Sequence, residues 1–293
     1  MEIKTFFSKD WQDYELLDTG EGEKLEKFGS YTFVRPYEDA VWKKTLEVSE
    51  WSKADGKFWS SKAGAKAGWK MHKKIEEKWE MQYKGIQFIA SPTPFRHLGF
   101  FSEQASHWDF IEESIKGANR PIKFLNLFGY TGVASLFALR AGAEVTHLDA
   151  SRQSLKWAKE NQTLSGLDKL PMRIIEDDVL KFLEREANRG NKYDAIIMDP
   201  PKFGRGPKGE TWKIEDSLPK LLSSVQKVLS DKPLFVILTS YAIDSSSLPL
   251  RYALEETMKE FEGSSKAGEL CVLEKSNGRM IPLANTAVWS KID

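Results

Sequence analysis

Residues 123–149 have the sequence KFLNLFGYTGVASLFALRAGAEVTHLD, and this stretch decides the fold class. Two apolar runs of strand length, 123–128 and 144–149, enclose a glycine turn and a segment of helical period. A strand, a crossover helix and a second strand form a βαβ unit, whose two strands lie parallel in one sheet. This stretch therefore predicts an α/β fold.

The chain after Pro121 repeats this alternation of strand and helix. Further apolar runs of strand length are PMRII (171–175), YDAIIMD (193–199) and PLFVILT (233–239). Apolar runs separated by helical segments are typical of a parallel sheet covered on both faces. We therefore expect an open, Rossmann-like sheet in this part of the chain.

The part before this sheet differs in composition, since seven of the ten tryptophans precede residue 110. Alternating segments at Tyr31 to Arg35, Ala40 to Lys43 and Ile86 to Ala90 predict short β-strands. SPTP at 91–94 is the clearest break. We expect a small β-rich N-terminal domain over residues 1–94 and a larger α/β domain over residues 95–293.

A helix is predicted at the junction of the two parts. The segment from Phe101 to Lys116 has apolar residues at helical spacing, with Ser102 as a candidate N-cap. Its apolar stripe predicts that it lies against the α/β sheet.

Composition excludes several classes of protein. The 293 residues include 43 Lys+Arg and 43 Asp+Glu, which gives a net charge of zero and argues against a strongly basic nucleic-acid coat. One cysteine cannot form an internal disulfide, and the chain shows no apolar run long enough for a membrane span. We expect a cytoplasmic protein without membrane contact.

The glycine turn and the acid that follows it predict a nucleoside site. Gly129 and Gly132 lie between a strand and a helix, where backbone N–H groups approach a ligand closely. Asp149 ends the next strand, 20 residues after Gly129, which suits an acceptor for ribose hydroxyls. The turn lacks the G-x-G-x-x-G spacing for a pyrophosphate, which favours a cofactor without phosphates. A packing turn and a helix cap are the structural alternatives.

Acidic residues also end the third and fourth predicted strands. Asp177 and Asp178 precede a helix, so either side chain suits an adenine amine or a helix cap, and we favour Asp177 for adenine. Asp199-Pro200-Pro201 follows the fourth strand, where two prolines impose an extended, rigid turn. Its carboxylate and proline carbonyls would receive N–H groups of a base stacked on Phe203. A capped turn is the alternative.

These motifs resemble class I S-adenosylmethionine-dependent methyltransferases. More narrowly, NLFGYTG (126–132), the acids at 149, 177 and 178, and DPPKF (199–203) are similar to the large-subunit 23S ribosomal RNA methyltransferases, which include C5-cytosine and N7-guanine enzymes. HLGFFSEQ (97–104) resembles the stretch before their catalytic domain.

The resemblance implies a seven-stranded sheet whose last, antiparallel strand is here Ala287 to Ser290, and S-adenosylmethionine as cofactor. It implies that Gly129 lies against the methionine part, that Asp149 holds the ribose and that Asp199 lines the methyl-transfer site. The candidate cofactor residues are Phe128, Gly129, Thr131, Gly132, Asp149, Ala150, Asp177, Asp178 and Gln104. The candidate catalytic residues are Asp199, Pro200 and Phe203, and no metal site is expected.

One departure from the family favours methylation of nitrogen. C5 methylation of a pyrimidine needs a thiolate, which the cytosine enzymes place just after the fifth strand. Here that position is Thr239-Ser240-Tyr241. The single cysteine, Cys271, falls within a predicted strand, where a small core residue is expected.

A basic aromatic stretch predicts an RNA contact. Between Trp51 and Lys74 seven lysines face one acid, with aromatic residues interleaved, which suits phosphates and unpaired bases. We expect contacts from Lys62, Lys66 and Lys70, and from the Phe203 to Lys213 loop closing over the substrate. A solvated β-ribbon and a flexible surface loop are the alternatives.

The leading hypothesis is therefore an S-adenosylmethionine-dependent methyltransferase that methylates a base nitrogen in RNA, ribosomal RNA above all. Alternatives are a methyltransferase for a protein or small molecule, a nicotinamide-dependent oxidoreductase, and a fold that binds without catalysis. The missing third glycine and the Asp-Pro-Pro turn argue against the oxidoreductase, and the intact Asp199 argues against the last.

Overall fold

The computed structural model describes residues 3–60, 67–241 and 246–291. In chain order its elements are β1 (Lys4–Phe6), β2 (Tyr14–Gly20), β3 (Glu23–Phe28), β4 (Tyr31–Pro36), α1 (Val48–Trp51), β5 (Gly56–Trp59), β6 (Gly68–Met71), β7 (Trp79–Tyr83), β8 (Ile86–Ala90), a 3-10 turn (Ser102–Gln104), α2 (Ala105–Gly117), β9 (Lys123–Leu127), α3 (Val133–Arg140), β10 (Glu144–Asp149), α4 (Arg152–Leu164), β11 (Met172–Glu176), α5 (Val179–Asn188), β12 (Ala195–Met198), β13 (Phe203–Arg205), β14 (Thr211–Lys213), α6 (Ile214–Val228), β15 (Phe235–Ser240), α7 (Leu248–Met258), β16 (Ser264–Leu273) and β17 (Met280–Ser290).

The main sheet has the strand order β1-β16-β17-β15-β12-β9-β10-β11. Strands β9, β10, β11, β12 and β15 pair in parallel, and β17 runs antiparallel to β15. The class I methyltransferase sheet is thereby confirmed, including its antiparallel last strand, but it has eight strands rather than the expected seven, because β1 pairs with β16 at its edge. Strand order reverses at β9, and ligands of open α/β sheets bind at the carboxyl ends of strands beside such a reversal.

Alternate residues of the central strands pack into two different apolar cores. Leu125, Ile196 and Val236 contribute to one core, together with residues of α5, α6 and α7. Phe124 and Ile197 belong to the other, together with residues of α2 and α3. Successive strand residues point to opposite faces, so a strand buried on both faces is largely apolar. This burial explains the apolar runs in the sequence.

The chain divides into two compact units, which we call the large and the small unit. The large unit comprises Met1–Phe6, Ser106–Leu270 and Pro282–Asp293, and the small unit comprises Phe7–Ala105 and Cys271–Ile281. The small unit contains a five-stranded sheet, β2-β3-β4-β5-β6, and the β7-β8 hairpin. We predicted that residues 1–94 and 95–293 are separate domains, which means that each would fold independently. The division into units does not test independent folding, so this stays a prediction.

Ala40 to Lys43 is not a strand, so that prediction is wrong. The Ala40 and Trp42 carbonyls accept hydrogen bonds from the N–H groups of the β2-β3 turn, and the Trp42 indole donates to Thr19. Ala40 is buried, whereas Val41 is 89% exposed. The alternation of apolar and polar residues at 40–43 therefore reflects packing against the β2-β3 turn and not pairing in a strand.

Ser102 does not cap a helix, contrary to our expectation. The chain enters α2 through a 3-10 turn that already contains Ser102, and the residue before that turn is Phe101. The Ser102 hydroxyl donates to Glu103 at 3.4 Å instead. The predicted packing of this helix is correct, since Ile111 and Ile115 of α2 belong to the same core as Phe124 of β9.

Candidate active site at the carboxyl ends of the parallel strands

The turn between β9 and α3 has a strained backbone. Phe128, Tyr130 and Gly132 have φ angles of 58°, 50° and 84°, all in the left-handed region. Glycine adopts this region readily, whereas a non-glycine residue held there costs about 1–3 kcal/mol. Such conformations persist only where neighbouring groups fix them, and they cluster at ligand sites. We call residues 128–132 the glycine loop.

Asp149, the last residue of β10, holds the glycine loop through its carboxylate. Its Oδ2 accepts from the Tyr130 N–H at 2.9 Å, and its Oδ1 accepts from the Ser151 N–H at 2.8 Å. Burial raises the pKa of Asp149 above its usual value, while these backbone donors act to lower it. Each carboxylate oxygen has a second lone pair, so Asp149 can also accept ribose hydroxyls. Its ribose contact stays a prediction.

The far side of the glycine loop rests on α4. Asn161, buried on α4, donates from Nδ2 to the Thr131 carbonyl at 2.9 Å. A Cβ at Gly132 would lie 2.9 Å from the Ala158 Cβ, which is closer than real contacts of this kind. Gly132 is therefore required both for its φ angle and for close packing of the loop on α4.

Three buried polar side chains beneath the loop were missed by sequence reasoning. They are Asn126 on β9, Ser135 on α3 and His147 on β10, and all three lie at most 5% exposed. A polar residue within an apolar strand was the available signal, but its partners lie on other elements. These residues form one hydrogen-bonded chain that ends at the loop backbone.

The two acids after β11 have different contacts. Asp178 is the N-cap of α5, since its carboxylate accepts from the Lys181 N–H at 3.0 Å. Asp177 forms an ion pair with Arg185 and accepts from the Asp178 N–H at 2.8 Å. An adenine amine would have to share these oxygens with Arg185. The adenine contact of Asp177 stays a prediction.

The Asp-Pro-Pro turn follows β12 directly. Asp199 is half-buried, Pro200 is buried and Phe203 is 55% exposed. The Pro201 carbonyl accepts from the Trp212 indole at 2.7 Å, and the Lys202 carbonyl accepts from the Ile214 N–H at 3.1 Å. The turn is thus held rigidly, and it presents an exposed aromatic ring.

Residues 203–213 form a β-hairpin, in which β13 pairs antiparallel with β14. Glu210 at its tip forms an ion pair with Lys181 of α5 at 2.6 Å. This pairing with Lys181 lowers the pKa of Glu210 to about 2. The exposed Arg205, Lys208 and Lys213 lie on this hairpin, and their predicted closure over a substrate stays a prediction.

Trp212 brings the two predicted motifs together. Its ring packs edge-on against Phe128 of the glycine loop, with centroids 4.9 Å apart, while its indole N–H binds the Pro201 carbonyl. The glycine loop and the Asp-Pro-Pro turn are therefore neighbours at one edge of the sheet. The sequence placed Trp212 only in a loop, so this role was missed.

The remaining predicted site residues are Ala150, Gln104 and the three lysines of the basic aromatic stretch. Ala150 is half-buried beside Asp149, whereas Gln104 is buried in the small unit, and its cofactor contact stays a prediction. Lys70 is exposed on β6, and Lys62 and Lys66 lie outside the described residues. Among the residues that the structure describes, no cluster of three or more His, Cys, Asp or Glu could hold a metal ion. No helix in the same ranges is long and apolar enough to cross a bilayer.

The carboxyl end of β15, the strand next to β12, carries hydroxyls rather than a thiol. Thr239 and Ser240 end β15, and the Thr239 hydroxyl lies 3.2 Å from that of Thr286 on β17. Cys271 is buried within β16, as predicted.

A family model described as S-adenosylmethionine-dependent methyltransferase matches residues 48–264. The match covers most of the chain, so the chain belongs to this family. Its cofactor is therefore S-adenosylmethionine, and its reaction is methyl transfer.

Individual relatives agree with this assignment. The crystal structure of an S-adenosylmethionine-dependent methyltransferase from Agrobacterium tumefaciens is 41% identical, has a TM-score of 0.93, and is matched over 98% of this chain and 93% of that one. A putative methyltransferase solved with S-adenosylhomocysteine is 17% identical, with a TM-score of 0.75 over 96% of this chain and 76% of that one, and shows the shared fold.

A ribosomal RNA relative matches part of the chain. Ribosomal RNA large subunit methyltransferase K of Neisseria meningitidis serogroup B is 32% identical over 181 residues, which is 60% of this chain and 50% of that protein. This chain thus spans half the length of that relative.

The glycine loop fits the cofactor of the family. S-adenosylmethionine has ribose hydroxyls to donate and no phosphate, and the site offers the Asp149 carboxylate beside a loop without pyrophosphate spacing. That the loop, Asp149 and Ala150 hold the nucleoside stays a prediction, and the contact between Phe128 and Trp212 places the Asp-Pro-Pro turn next to the loop.

Proposed function

We propose that this enzyme methylates a base nitrogen in RNA, most specifically in ribosomal RNA. The observation that carries the proposal is the Asp199-Pro200-Pro201 turn beside the glycine loop, which the Trp212 indole fixes through the Pro201 carbonyl, with the exposed Phe203 two residues further along the chain. Such a turn suits a flipped base that presents an N–H and a π-face.

Nitrogen methylation needs alignment rather than a covalent intermediate. Bound S-adenosylmethionine supplies an electrophilic methyl group on a sulfonium. Asp199 and the Pro200 carbonyl would receive the N–H groups of the base and direct its lone pair at that methyl group. Methyl transfer to the nitrogen would release S-adenosylhomocysteine, and the Asp199 carboxylate would take up the proton that the nitrogen loses and pass it to water. Phe203 would stack on the ring.

The chain's one cysteine is dispensable under this mechanism. We expect Cys271→Ala to keep kcat and cofactor affinity, and to lower the unfolding free energy by about 1 kcal/mol, since it removes a small buried group. Steady-state kinetics and a denaturant titration measure the two effects. If the variant stayed folded and bound cofactor but transferred no methyl group, a thiolate mechanism would replace ours.

A basic aromatic face of the small unit suits an RNA strand. Lys57 of β5 and Lys70 of β6 are directly opposite each other, so both lie on one face of the sheet. Trp59 on the same face is 50% exposed, and the Lys57 ammonium lies 4.5 Å from its ring centroid. Like charges that oppose each other are unfavourable without an anion nearby. Glu23 neutralises Lys57, and an RNA phosphate would neutralise Lys70.

We extend this proposal to the roles of the two domains and to the cellular location of the enzyme. Residues 1–94 would form the RNA-binding domain and residues 95–293 the catalytic one, acting on RNA in the cytoplasm. The relatives named as ribosomal RNA methyltransferases support this substrate class. Lys62, Lys66 and the 203–213 hairpin would add further contacts.

The double variant Trp59→Ala with Lys70→Ala tests whether the basic aromatic face of the small unit binds RNA. Loss of one stacking contact is worth ~1–3 kcal/mol, so we expect the substrate KM to rise about tenfold or more. We also expect the salt dependence of KM to flatten by about one unit of slope, since one phosphate contact is lost. Purified RNA, a labelled methyl donor and a salt series give both values.

The matched control is Lys227→Ala with Lys259→Ala, two exposed lysines of the large unit, which should leave KM within twofold. An unchanged KM and slope in the test variant would favour a protein or small-molecule substrate. Nucleoside mass spectrometry of RNA from cells with and without the gene identifies the methylated atom. A C5-methylated pyrimidine in its place would contradict nitrogen methylation.

A further inference from the structure

Tyr130 of the glycine loop is held at both of its backbone groups by β10. Its N–H donates to Asp149 Oδ2 at 2.9 Å, and its carbonyl lies 3.3 Å from His147 Nε2. His147 and Asp149 are two residues apart on one strand, so their side chains point to the same face. One strand therefore fixes a residue whose φ of 50° is strained.

The hydrogen bonds behind His147 have a fixed direction. A carbonyl only accepts, so Nε2 of His147 must carry the hydrogen that it gives to Tyr130. Burial lowers the pKa of His147 to about 4, so the ring is neutral near pH 7 and Nδ1 accepts. Ser135 Oγ therefore donates to Nδ1 at 3.0 Å, and it accepts from Asn126 Nδ2 at 2.9 Å.

The His147 ring also limits how closely the glycine loop can approach β10. A Cβ built on Gly129 would overlap the Cε1 and Nδ1 atoms of His147. Gly129 thus lies directly on the ring, and its N–H donates to the Leu148 carbonyl at 2.8 Å. Since both ring nitrogens are hydrogen-bonded, the ring cannot rotate away without breaking the chain of bonds.

We propose that His147 is a positioning residue for the cofactor: through Tyr130 and Gly129 it holds the glycine loop in its binding conformation. His147 makes this contribution from beneath the loop, through the loop backbone. Ser135 and Asn126 fix its tautomer and ring orientation, as supporting partners do for other functional histidines. The proposal rests on the assignment of the glycine loop and Asp149 to the cofactor, and it is independent of the RNA substrate.

The test replaces the ring without emptying its space. We expect His147→Phe to weaken S-adenosylhomocysteine binding about tenfold or more in a calorimetric titration, since the Tyr130 carbonyl loses its donor and the strained loop loses a restraint. His147→Gln, whose amide can still donate, should recover part of the affinity. His107→Phe is the matched control, because His107 is equally buried and bonds Thr286. It should bind cofactor within twofold of the parent.

A purely structural role would give a different pattern. It would lower the melting temperature of the cofactor-free protein in both histidine variants and leave the affinity of His147→Phe unchanged, which would overturn the proposal. If His147→Phe does not fold, Ser135→Ala replaces it, with a weaker loss of affinity expected. Unchanged affinity in Ser135→Ala would then also overturn the proposal.

Two further measurements separate this proposal from the cofactor assignment. As a single variant, Asp149→Asn should weaken S-adenosylhomocysteine binding. Its effect should be non-additive with that of His147→Phe, because both substitutions act on Tyr130. Full affinity in Asp149→Asn would remove the cofactor assignment itself, whereas an effect of Asp149 with none of His147 would remove only this proposal. Nitrogen NMR should show His147 as the Nε2–H tautomer, and an Nδ1–H tautomer would contradict the chain of bonds.

Discussion

Asp199→Ala should lower kcat about 100-fold or more while cofactor affinity changes by less than threefold. In the proposed mechanism the carboxylate contacts the reacting base, so its loss misaligns the nitrogen and the methyl group, and a misplacement of about 1 Å can cost about 100-fold in rate. The lost contact is to the substrate rather than to the cofactor, which explains the separation of the two effects. Single-turnover kinetics and calorimetry measure them.

Two variants control for charge and for shape. Asp231→Ala removes an exposed carboxylate before β15, at the opposite end of the sheet, and should leave kcat unchanged. Asp199→Asn keeps an acceptor oxygen but loses the charge, so an intermediate rate is expected. If Asp199→Ala methylated RNA at the parental rate, the turn would be a structural cap, and the proposed catalytic role would be wrong.

The sequence predicted those strands whose burial is visible in the apolar character of their own residues. The apolar run 195–198 within YDAIIMD forms β12, because a strand buried on both faces is apolar along most of its length. The N-terminal strand β1 was not predicted. It has three residues, and it pairs in parallel with residues 268–270 of β16, so its stability depends on a partner far along the chain. Gly268 allows this approach, since any Cβ there would overlap the Lys4 carbonyl.

The candidate site was predicted only in part, for a similar reason. The strand-end acids Asp149 and Asp199 were recognisable, since topology alone brings carboxyl ends to one edge. The roles of His147 and Trp212 were not recognisable, because each depends on contacts between elements that are not adjacent in sequence. A lone polar residue in a buried strand indicates that a partner exists, but it does not indicate which one.

Gly129→Ala should have the largest effect on cofactor binding, a loss of about 100-fold or more in affinity. The added Cβ would overlap the His147 ring and lie 3.2 Å from Asn126 Cγ, so the loop must move away from β10. A 100-fold loss of affinity corresponds to about 2.8 kcal/mol, which we expect when the displaced loop loses its contacts with the nucleoside together. Overpacking should also lower the unfolding free energy by ~1–3 kcal/mol. Calorimetry and denaturant titration give the two numbers.

Gly142→Ala is the matched control for the backbone. Gly142 has a φ of 93° and open space at its Cβ position, so alanine there costs conformational strain but meets no atom. We expect about 1 kcal/mol of destabilisation and unchanged cofactor affinity. Gly129, in contrast, is absent from the described residues with positive φ, so close approach alone explains its requirement. Equal affinities in the two variants would contradict that explanation.

A second-site variant tests the cause directly. Replacing His147 by alanine in the Gly129→Ala background removes the ring that the new methyl group would overlap. We expect this double variant to regain much of the unfolding free energy lost in Gly129→Ala, because the overlap is relieved. Cofactor affinity should stay low, because the Tyr130 carbonyl has lost its donor and the loop is no longer held. Recovery of both quantities would mean that His147 only occupies space, whereas recovery of stability alone separates packing from positioning.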